Sequence, residues 1–283
     1  MLLAMSDKVW FITGSSSGFG RALAEAALGS GYRVVATARN IATIADLATR
    51  WPQTAHIAEL DVTVQPQIAR VVQESVDVFG KVDVLVNNAG YGLLSPIEES
   101  SEAQIRQNFE VNFFGALNLI RCFLPHFRAQ KSGHVLNVSA AAAITNYPGF
   151  GVYGASKCAL EGLSESLALE GRAFGMKVTI IEPGPFRTDF SSRSLEIVSP
   201  SVPDYEVSVG KFGKLITGID GKQPGDPAKA AEVIIQAVEA ERPPLRLVLG
   251  KYAVDKTRRA MAQREAELKI WEGASSSADA PST

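Results

Sequence analysis

Tyr153 and Lys157 stand four residues apart in Tyr153-Gly154-Ala155-Ser156-Lys157. On a helix that spacing sets both side chains on one face, one turn from each other. A free phenol ionises at about pH 10, so tyrosine is a poor base at neutral pH. An ammonium one turn away favours the phenolate and lowers that value. A tyrosine tuned in this way can pass a proton to or from a substrate oxygen. Ser139 closes the run Val135-Leu136-Asn137-Val138-Ser139. A strand there would deliver its hydroxyl to the same region, where it can orient a carbonyl. Plainer readings stand beside these: a solvated Tyr–Lys pair, and a serine that caps a turn.

Thr13-Gly14-Ser15-Ser16-Ser17-Gly18-Phe19-Gly20 follows an apolar run and opens a helix-like one. A dinucleotide site needs this context. Glycines permit a tight turn, let backbone approach a pyrophosphate, and let helix and strand pack closely. The helix start adds free N–H groups and the positive end of a dipole. The spacing is G-x-x-x-G-x-G rather than G-x-G-x-x-G. About twenty residues on, an acidic residue would hold the ribose 2′-OH of NAD, whereas an arginine accommodates the 2′-phosphate of NADP. The sequence there is Ala36-Thr37-Ala38-Arg39-Asn40, with Arg39 and no carboxylate. Arginine's fork geometry suits phosphate, so the sequence favours NADP(H) over NAD(H).

The elements that would carry these residues alternate. Apolar, β-rich runs fall at 9–13, 33–38, 56–60, 82–87, 135–138, 178–181 and 245–249. Between them, helical patterns cover 19–28, 68–79, a long stretch from the capping box Ser101/Gln104 toward Arg128, and 151–174. Asp226-Pro227 starts another helix, and a charged amphipathic one follows Lys251. This rhythm predicts an α/β fold: a doubly wound parallel sheet of the Rossmann type, about seven strands, with helices on both faces. Ligands of such sheets bind at the carboxyl ends of the strands. Residues 1–272 read as one domain, with residues 190–225 inserted as a substrate lid, since they are too long for a plain connector. Phe190, Leu195, Ile197, Val198 and Tyr205 would give the lid apolar contacts, and Gly210, Gly213, Gly218 and Gly221 its hinges. Tyr147 and Phe150 would line the opposite wall. Residues 273–283 read as a disordered Ser/Ala/Pro tail.

Taken together, residues 8–249 resemble the single-domain short-chain dehydrogenase/reductase family. The glycine loop fits its TGxxxGxG pattern, Asn87-Asn88-Ala89-Gly90 its NNAG motif, and Ser139, Tyr153 and Lys157 its serine and YxxxK pair. Asn112 fits the helix asparagine, Asp61 beside Val62 the residue bordering the adenine, and Pro183-Gly184 with Thr188 the nicotinamide-contacting PG motif. The glycine loop and residues 183–190 look like the branch that includes hydroxysteroid and retinol dehydrogenases. The resemblance implies a cofactor held by Gly14, Ser16, Ser17, Gly18, Phe19, Gly20, Arg39, Asp61, Val62, Asn88, Ala89, Gly90, Tyr153, Lys157, Pro183, Gly184, Phe186 and Thr188. It implies Tyr153 as general acid or base, and Lys157 as the group that binds the ribose and tunes Tyr153. Ser139, with Tyr153, would hold the substrate oxygen, and Asn112 would hold a water in a proton relay. It also implies a homodimer or homotetramer packed through the long helices containing Asn112 and Tyr153.

The expected reaction interconverts an apolar ketone or aldehyde and its alcohol, the substrate being a small molecule with a medium or bulky apolar body rather than a small charged acid. Two other readings share the sequence. One is a dinucleotide sensor or scaffold, which has no need of the Tyr153–Lys157 pair. The other is an epimerase or dehydratase on the same fold. Composition narrows the partners. A net charge of −2 over 283 residues points to neither nucleic acid nor an anionic membrane. Cys122 and Cys158 form no CxxC pair, and His56, His126 and His134 show no metal-ligand spacing. Residues 1–5 make a poor signal peptide, and no apolar run is long enough to span a bilayer, so a cytoplasmic protein is expected.

Overall fold

The computed structural model describes residues 7–280; the expectation about residues 1–5 lies outside them. In chain order the first half comprises β1 (Val9–Ile12), α1 (Gly18–Gly29), β2 (Arg33–Ala38), α2 (Ala45–Arg50), β3 (Ala55–Glu59), α3 (Gln65–Phe79), β4 (Val84–Asn87) and β5 (Gly92–Leu94). Then come α4 (Glu102–Phe109), α5 (Gly115–Gln130), β6 (Gly133–Val138), α6 (Ala141–Ile144), α7 (Gly151–Gly171) and β7 (Met176–Pro183). The last stretch holds β8 (Leu195–Ile197), α8 (Lys211–Gly218), α9 (Pro227–Glu239), β9 (Arg246–Leu249) and α10 (Lys251–Ser276).

Seven strands pair in the order β3-β2-β1-β4-β6-β7-β9, all parallel. The central strands read as continuous apolar runs because helices cover both faces; Val9, Trp10, Phe11 and Ile12 of β1 are all fully buried. On one face α1 contributes Leu23, Ala24, Ala27 and Leu28, and α9 contributes Ala230, Ala231, Ile234 and Val238. On the other, α3 contributes Ile68, Val71 and Val72, and α5 contributes Leu119, Ile120, Phe123 and Phe127. These sets recur at three and four residues, the stripe a helix needs to sit on a sheet. Side-chain caps fix two of the helix starts. Asp226 accepts the Ala228 N–H at 2.9 Å, and Ser101 and Gln104 form the expected capping box. At its far end α3 stops on Gly80, whose φ of 77° only glycine adopts without cost.

The chain winds outward from β1 to β2 and β3, then returns to place β4 on the other side of β1. The carboxyl ends of β1 and β4 therefore border the crevice where the winding reverses, the ligand position in sheets of this kind.

Three details depart from the sequence reading. The helix expected to run unbroken toward Arg128 is interrupted by a π-helical turn, Glu110–Phe114. Gly115, which follows it, lies so close that a Cβ would stand 2.8 Å from Val62 Cγ2. The short strands β5 and β8 pair with each other in a second, two-stranded sheet that the sequence pattern did not reveal. Beyond Gly273, α10 continues to Ser276, and residues 281–283 lie outside the described part. Among the described residues no helix is long and apolar enough to cross a membrane.

Candidate active site

A cavity of about 780 Å³ lies along the carboxyl ends of the strands. Its first end is built from the β1–α1 loop. Thr13 Oγ1 accepts the N–H groups of Asn88 and Ala89, both at 2.9 Å, and Asn88 Nδ2 donates to the carbonyls of Thr13 (2.8 Å) and Gly14 (3.2 Å). These bonds staple the loop to the end of β4. Gly14 (φ 68°) and Gly18 (φ 57°) take conformations closed to most side chains. Ser16, Ser17, Gly18 and Phe19 line the cavity at the start of α1, whereas Ser15 turns inward to Ile12 O at 3.0 Å. Ser17 precedes the helix without a side-chain cap bond, so its hydroxyl is not consumed by the helix. Gly20 does not line the cavity. It packs under the loop, where a Cβ would overlap Asn88 Nδ2 and Gly14 O.

Asp61, Val62, Ala89 and Gly90 form the next stretch of wall, and Pro183, Gly184, Phe186 and Thr188 the far side. Asp61 Oδ1 accepts from Thr63 N (2.9 Å) and Thr63 Oγ1 (2.7 Å), which orders the loop after β3. Phe19 meets Phe186 edge-on at 4.9 Å and closes the floor. Arg39 stands exposed on the rim at the end of β2. The nearby Arg21 and Arg50 are engaged by Glu25 and Asp46, so among the described residues Arg39 is the rim guanidinium left for an anion. A phosphate-sized approach over glycine, a helix start and a free cation at one rim fit a dinucleotide.

The structure brings Ser139, Tyr153 and Lys157 to the same cavity. Ser139 is fixed by its N–H to Ile181 O at 2.8 Å, and its Oγ donates to Glu161 Oε1 at 2.6 Å. Tyr153, in the first turn of α7, lies between Phe150 and Phe190, ring centres 5.1 and 5.6 Å away. Lys157 Nζ donates to Val138 O at 2.8 Å and sits 6.0 Å from the Tyr153 ring centre. Against the lowering expected from Lys157, burial pushes the phenol above its ordinary value, because the phenolate loses its hydration. The same burial lowers Lys157 to about 8, against the opposing charge of Glu161. Burial thus favours the phenol form of Tyr153, the form that carries a transferable proton.

Asn112 also departs from expectation. It is buried in the π-helical turn and does not line the cavity. Its Oδ1 accepts Tyr91 N at 2.9 Å, and its Nδ2 reaches Tyr91 O (2.9 Å), Asn108 Oδ1 (3.1 Å) and Ser156 Oγ (3.2 Å). These bonds take up its amide hydrogens, while Oδ1 keeps a second lone pair. They clamp the loop after β4 onto α7.

The second end of the cavity is aromatic. Phe212 of α8 stacks on Tyr147 at 5.1 Å and meets Phe150 edge-on at 5.3 Å. Leu94, Leu195, Val209 and Ile216 pack around these rings, with Phe190 and Tyr205. Of the residues expected in the lid, Ile197 is exposed rather than packed. Phe212 and Ile216 were not anticipated, and nothing in the local sequence marks them. Glu161 was not anticipated either, although its place four residues after Lys157 on the Tyr153 face was a usable signal.

Comparison with known proteins supplies the remaining observations. Residues 8–196 match the family model for short chain dehydrogenases. The chain is 36% identical to the oxidoreductase BOA17 of Botryotinia fuckeliana over 265 residues, covering 93% of this chain and 96% of its relative. It is 35% identical to retinol dehydrogenase 8 of Bos taurus, covering 86% and 82%. A solved short-chain dehydrogenase from Streptomyces avermitilis superposes with a TM-score of 0.91 at 43% identity, over 97% of this chain and 100% of the other.

Proposed function

This chain belongs to the short-chain dehydrogenase family of NAD(P)-dependent oxidoreductases, and from that premise we propose that it reduces an apolar ketone or aldehyde with NADPH. One observation carries the reading: a buried Tyr153, with Ser139 and Lys157 on the same cavity, stands where its glycine-lined end meets its aromatic end. When bound along the crevice, a nicotinamide dinucleotide would supply the hydride. Ser16, Ser17 and Gly18 would hold the pyrophosphate, Arg39 the 2′-phosphate, and Asp61 with Val62 the adenine. Asn88, Ala89 and Gly90 shape the middle of the groove, and Lys157 would take the ribose. Pro183, Gly184, Phe186 and Thr188 would flank the nicotinamide.

Toward the substrate, Ser139 donates a hydrogen bond to the carbonyl oxygen, and Tyr153 passes its phenolic proton to the same oxygen as negative charge develops there. Removing that proton from a phenol in water-poor surroundings is costly, so the developing alkoxide is the group basic enough to take it. The ring cluster around Phe150 and Phe212 selects a medium or bulky apolar molecule over a small charged one. Similarity to a retinol dehydrogenase supports the same class. Residues 190–225 act as the lid of this pocket. Assembly as a dimer or tetramer uses α5 and α7.

A panel of apolar carbonyls assayed with NADPH tests the reading. Tyr153→Phe should cost at least about 10²-fold in kcat, with cofactor affinity nearly unchanged. Near-normal turnover by this variant, or no reduction of any panel member by the wild type, would overturn it.

A further inference from the structure

Behind Ser139, out of the cavity, lies a cluster with more acids than cations. Glu161 of α7 offers Oε1 to the Ser139 hydroxyl and Oε2 to Arg246 Nη2 at 3.2 Å. Arg246, on β9, also reaches Glu182 Oε1 of β7 at 3.3 Å and Glu165 Oε1 at 2.8 Å. Glu182 and Glu161 are both buried, and both meet the Arg246 guanidinium. One guanidinium thus faces three carboxyl groups. Two adjacent buried carboxylates cannot both stay ionised against a cation already shared with Glu165, so the pair retains a proton. Burial and the neighbouring charge accordingly push Glu182 up to about 7, against the pull of Arg246, and burial raises Glu161 as well. On α7 itself, Lys157 and Cys158 are the other titratable groups that feel the charge of Glu161.

This cluster bears on a constraint at Ser139. A serine hydroxyl has one hydrogen, and here it is given to Glu161. Hydrogen-bonding the substrate oxygen needs that same hydrogen. Resting on the carbonyl-reductase reading above, we propose that Glu161 is a positioning residue: it shares one proton with Glu182, and when that proton sits on Glu161 Oε1 it is donated to Ser139 Oγ, freeing the serine hydrogen for the substrate oxygen. The proton moves from one carboxyl of the pair to the other, so nothing is drawn from solvent. Arg246 then pairs with ionised Glu182 and still donates to Glu161 Oε2. The same arrangement serves oxidation, because both directions pass through one transition state in which Ser139 donates to the oxygen. Once the pair loses its proton at higher pH, the serine hydrogen is held by Glu161, and activity falls in both directions.

Infrared titration of the full chain, together with pH profiles of kcat/KM, tests this. The wild type should show a protonated carboxyl band at neutral pH that is absent from Glu161→Gln. Its disappearance with rising pH should coincide with a fall in kcat/KM. Arg246→Gln removes the cation and should move both midpoints to higher pH, while Glu182→Gln removes the competing carboxylate and should move both lower. Glu161→Leu should lower kcat on the order of 10-fold with KM little changed, since it strips Ser139 of its partner. A limb that persists in Glu161→Gln belongs to Lys157. Absence of the carboxyl band in the wild type, or identical pH profiles for wild type and Glu161→Gln, overturns the proposal. The infrared arm needs no substrate, so its result stands apart from whether an apolar carbonyl is reduced.

Discussion

At residues 14–20 the glycine loop lies directly against the Asn88 amide and neighbouring backbone; around Phe212 the cavity is built by ring lying on ring. The first kind of contact tolerates almost nothing. Gly14 leaves a Cβ only 3.0 Å from Asn88 Nδ2, and Gly20 leaves it no room at all. The second kind tolerates substitution, because a ring contact is non-directional burial plus about 0.5–1.5 kcal/mol of pair geometry. On the proposed reading, a rigid cofactor end and a replaceable substrate end would let one fold keep its hydride chemistry while the accepted carbonyl varies.

The largest effect expected from this contrast is at Gly20. Gly20→Ala drives a methyl into Asn88 and the Gly14 carbonyl, both held by the β1–β4 staple. Overpacking of this sort costs about 1–3 kcal/mol, and more where backbone is the obstacle. Urea denaturation should show a loss at the upper end of that range, and fluorescence titration should show NADPH binding severely weakened. A variant within about 0.5 kcal/mol of wild type would mean that the loop is as pliable as the pocket.

Arg39→Ala comes next. An exposed guanidinium bonded to a phosphate contributes about 1.5–3 kcal/mol, or roughly 10- to 150-fold in affinity. KM for NADPH should rise by that factor, with NADH almost unaffected. Ala38→Asp should shift preference toward NADH, and added salt should weaken the wild-type preference. Equal kcat/KM for NADH and NADPH in the wild type would reduce Arg39 to a solvated loop residue.

The same contrast explains how much could be read from the sequence. Positions where geometry admits one or two residue types leave a mark, and so Gly14, Gly18, Gly20, Asn88, Ser139, Tyr153 and Lys157 were legible, as were the seven strands of the sheet. The β5–β8 pairing was not, because three-residue strands carry too little alternation to separate from a loop. Phe212 was invisible because any apolar helix can present a phenylalanine. Asn112 was legible as a residue, but its bonds to Tyr91 and Ser156 were not, since they depend on a π-helical turn that local propensity does not reveal. Spacing gives the distance from Tyr153 to a lysine but not the depth of its burial, which works in the opposite direction.

Phe212→Ala probes the pliable end. It removes a stacked contact with Tyr147 and an edge contact with Phe150 from a half-buried ring. The loss should appear in KM for bulky apolar carbonyls, about 5- to 10-fold at roughly 1–1.4 kcal/mol. Folding stability and NADPH binding should barely change. A drop in stability as large as that of Gly20→Ala would show that the ring cluster is structural core rather than a substrate wall.

The smallest effect belongs to Gly218, and it decides whether the pocket end moves. Gly218 closes α8, is exposed, and has no atom within 4 Å of an added Cβ. Its backbone is not in the left-handed region, so alanine fits without strain. Gly221, by contrast, is held at φ 72° and would be strained by any side chain. Gly218→Ala should therefore stabilise the protein by about 0.4–1 kcal/mol, chiefly by restricting the unfolded chain. If residues 190–225 close over the substrate about this point, the same change stiffens the hinge. kcat should then fall by a small factor while stability rises, because lid motion gates turnover. Hydrogen exchange should show α8 becoming protected when cofactor and a carbonyl inhibitor bind together. Unchanged kcat, with α8 already protected in the free protein, would make this end a fixed subdomain. The two ends of the cavity would then differ in the kind of contact that builds them but not in mobility.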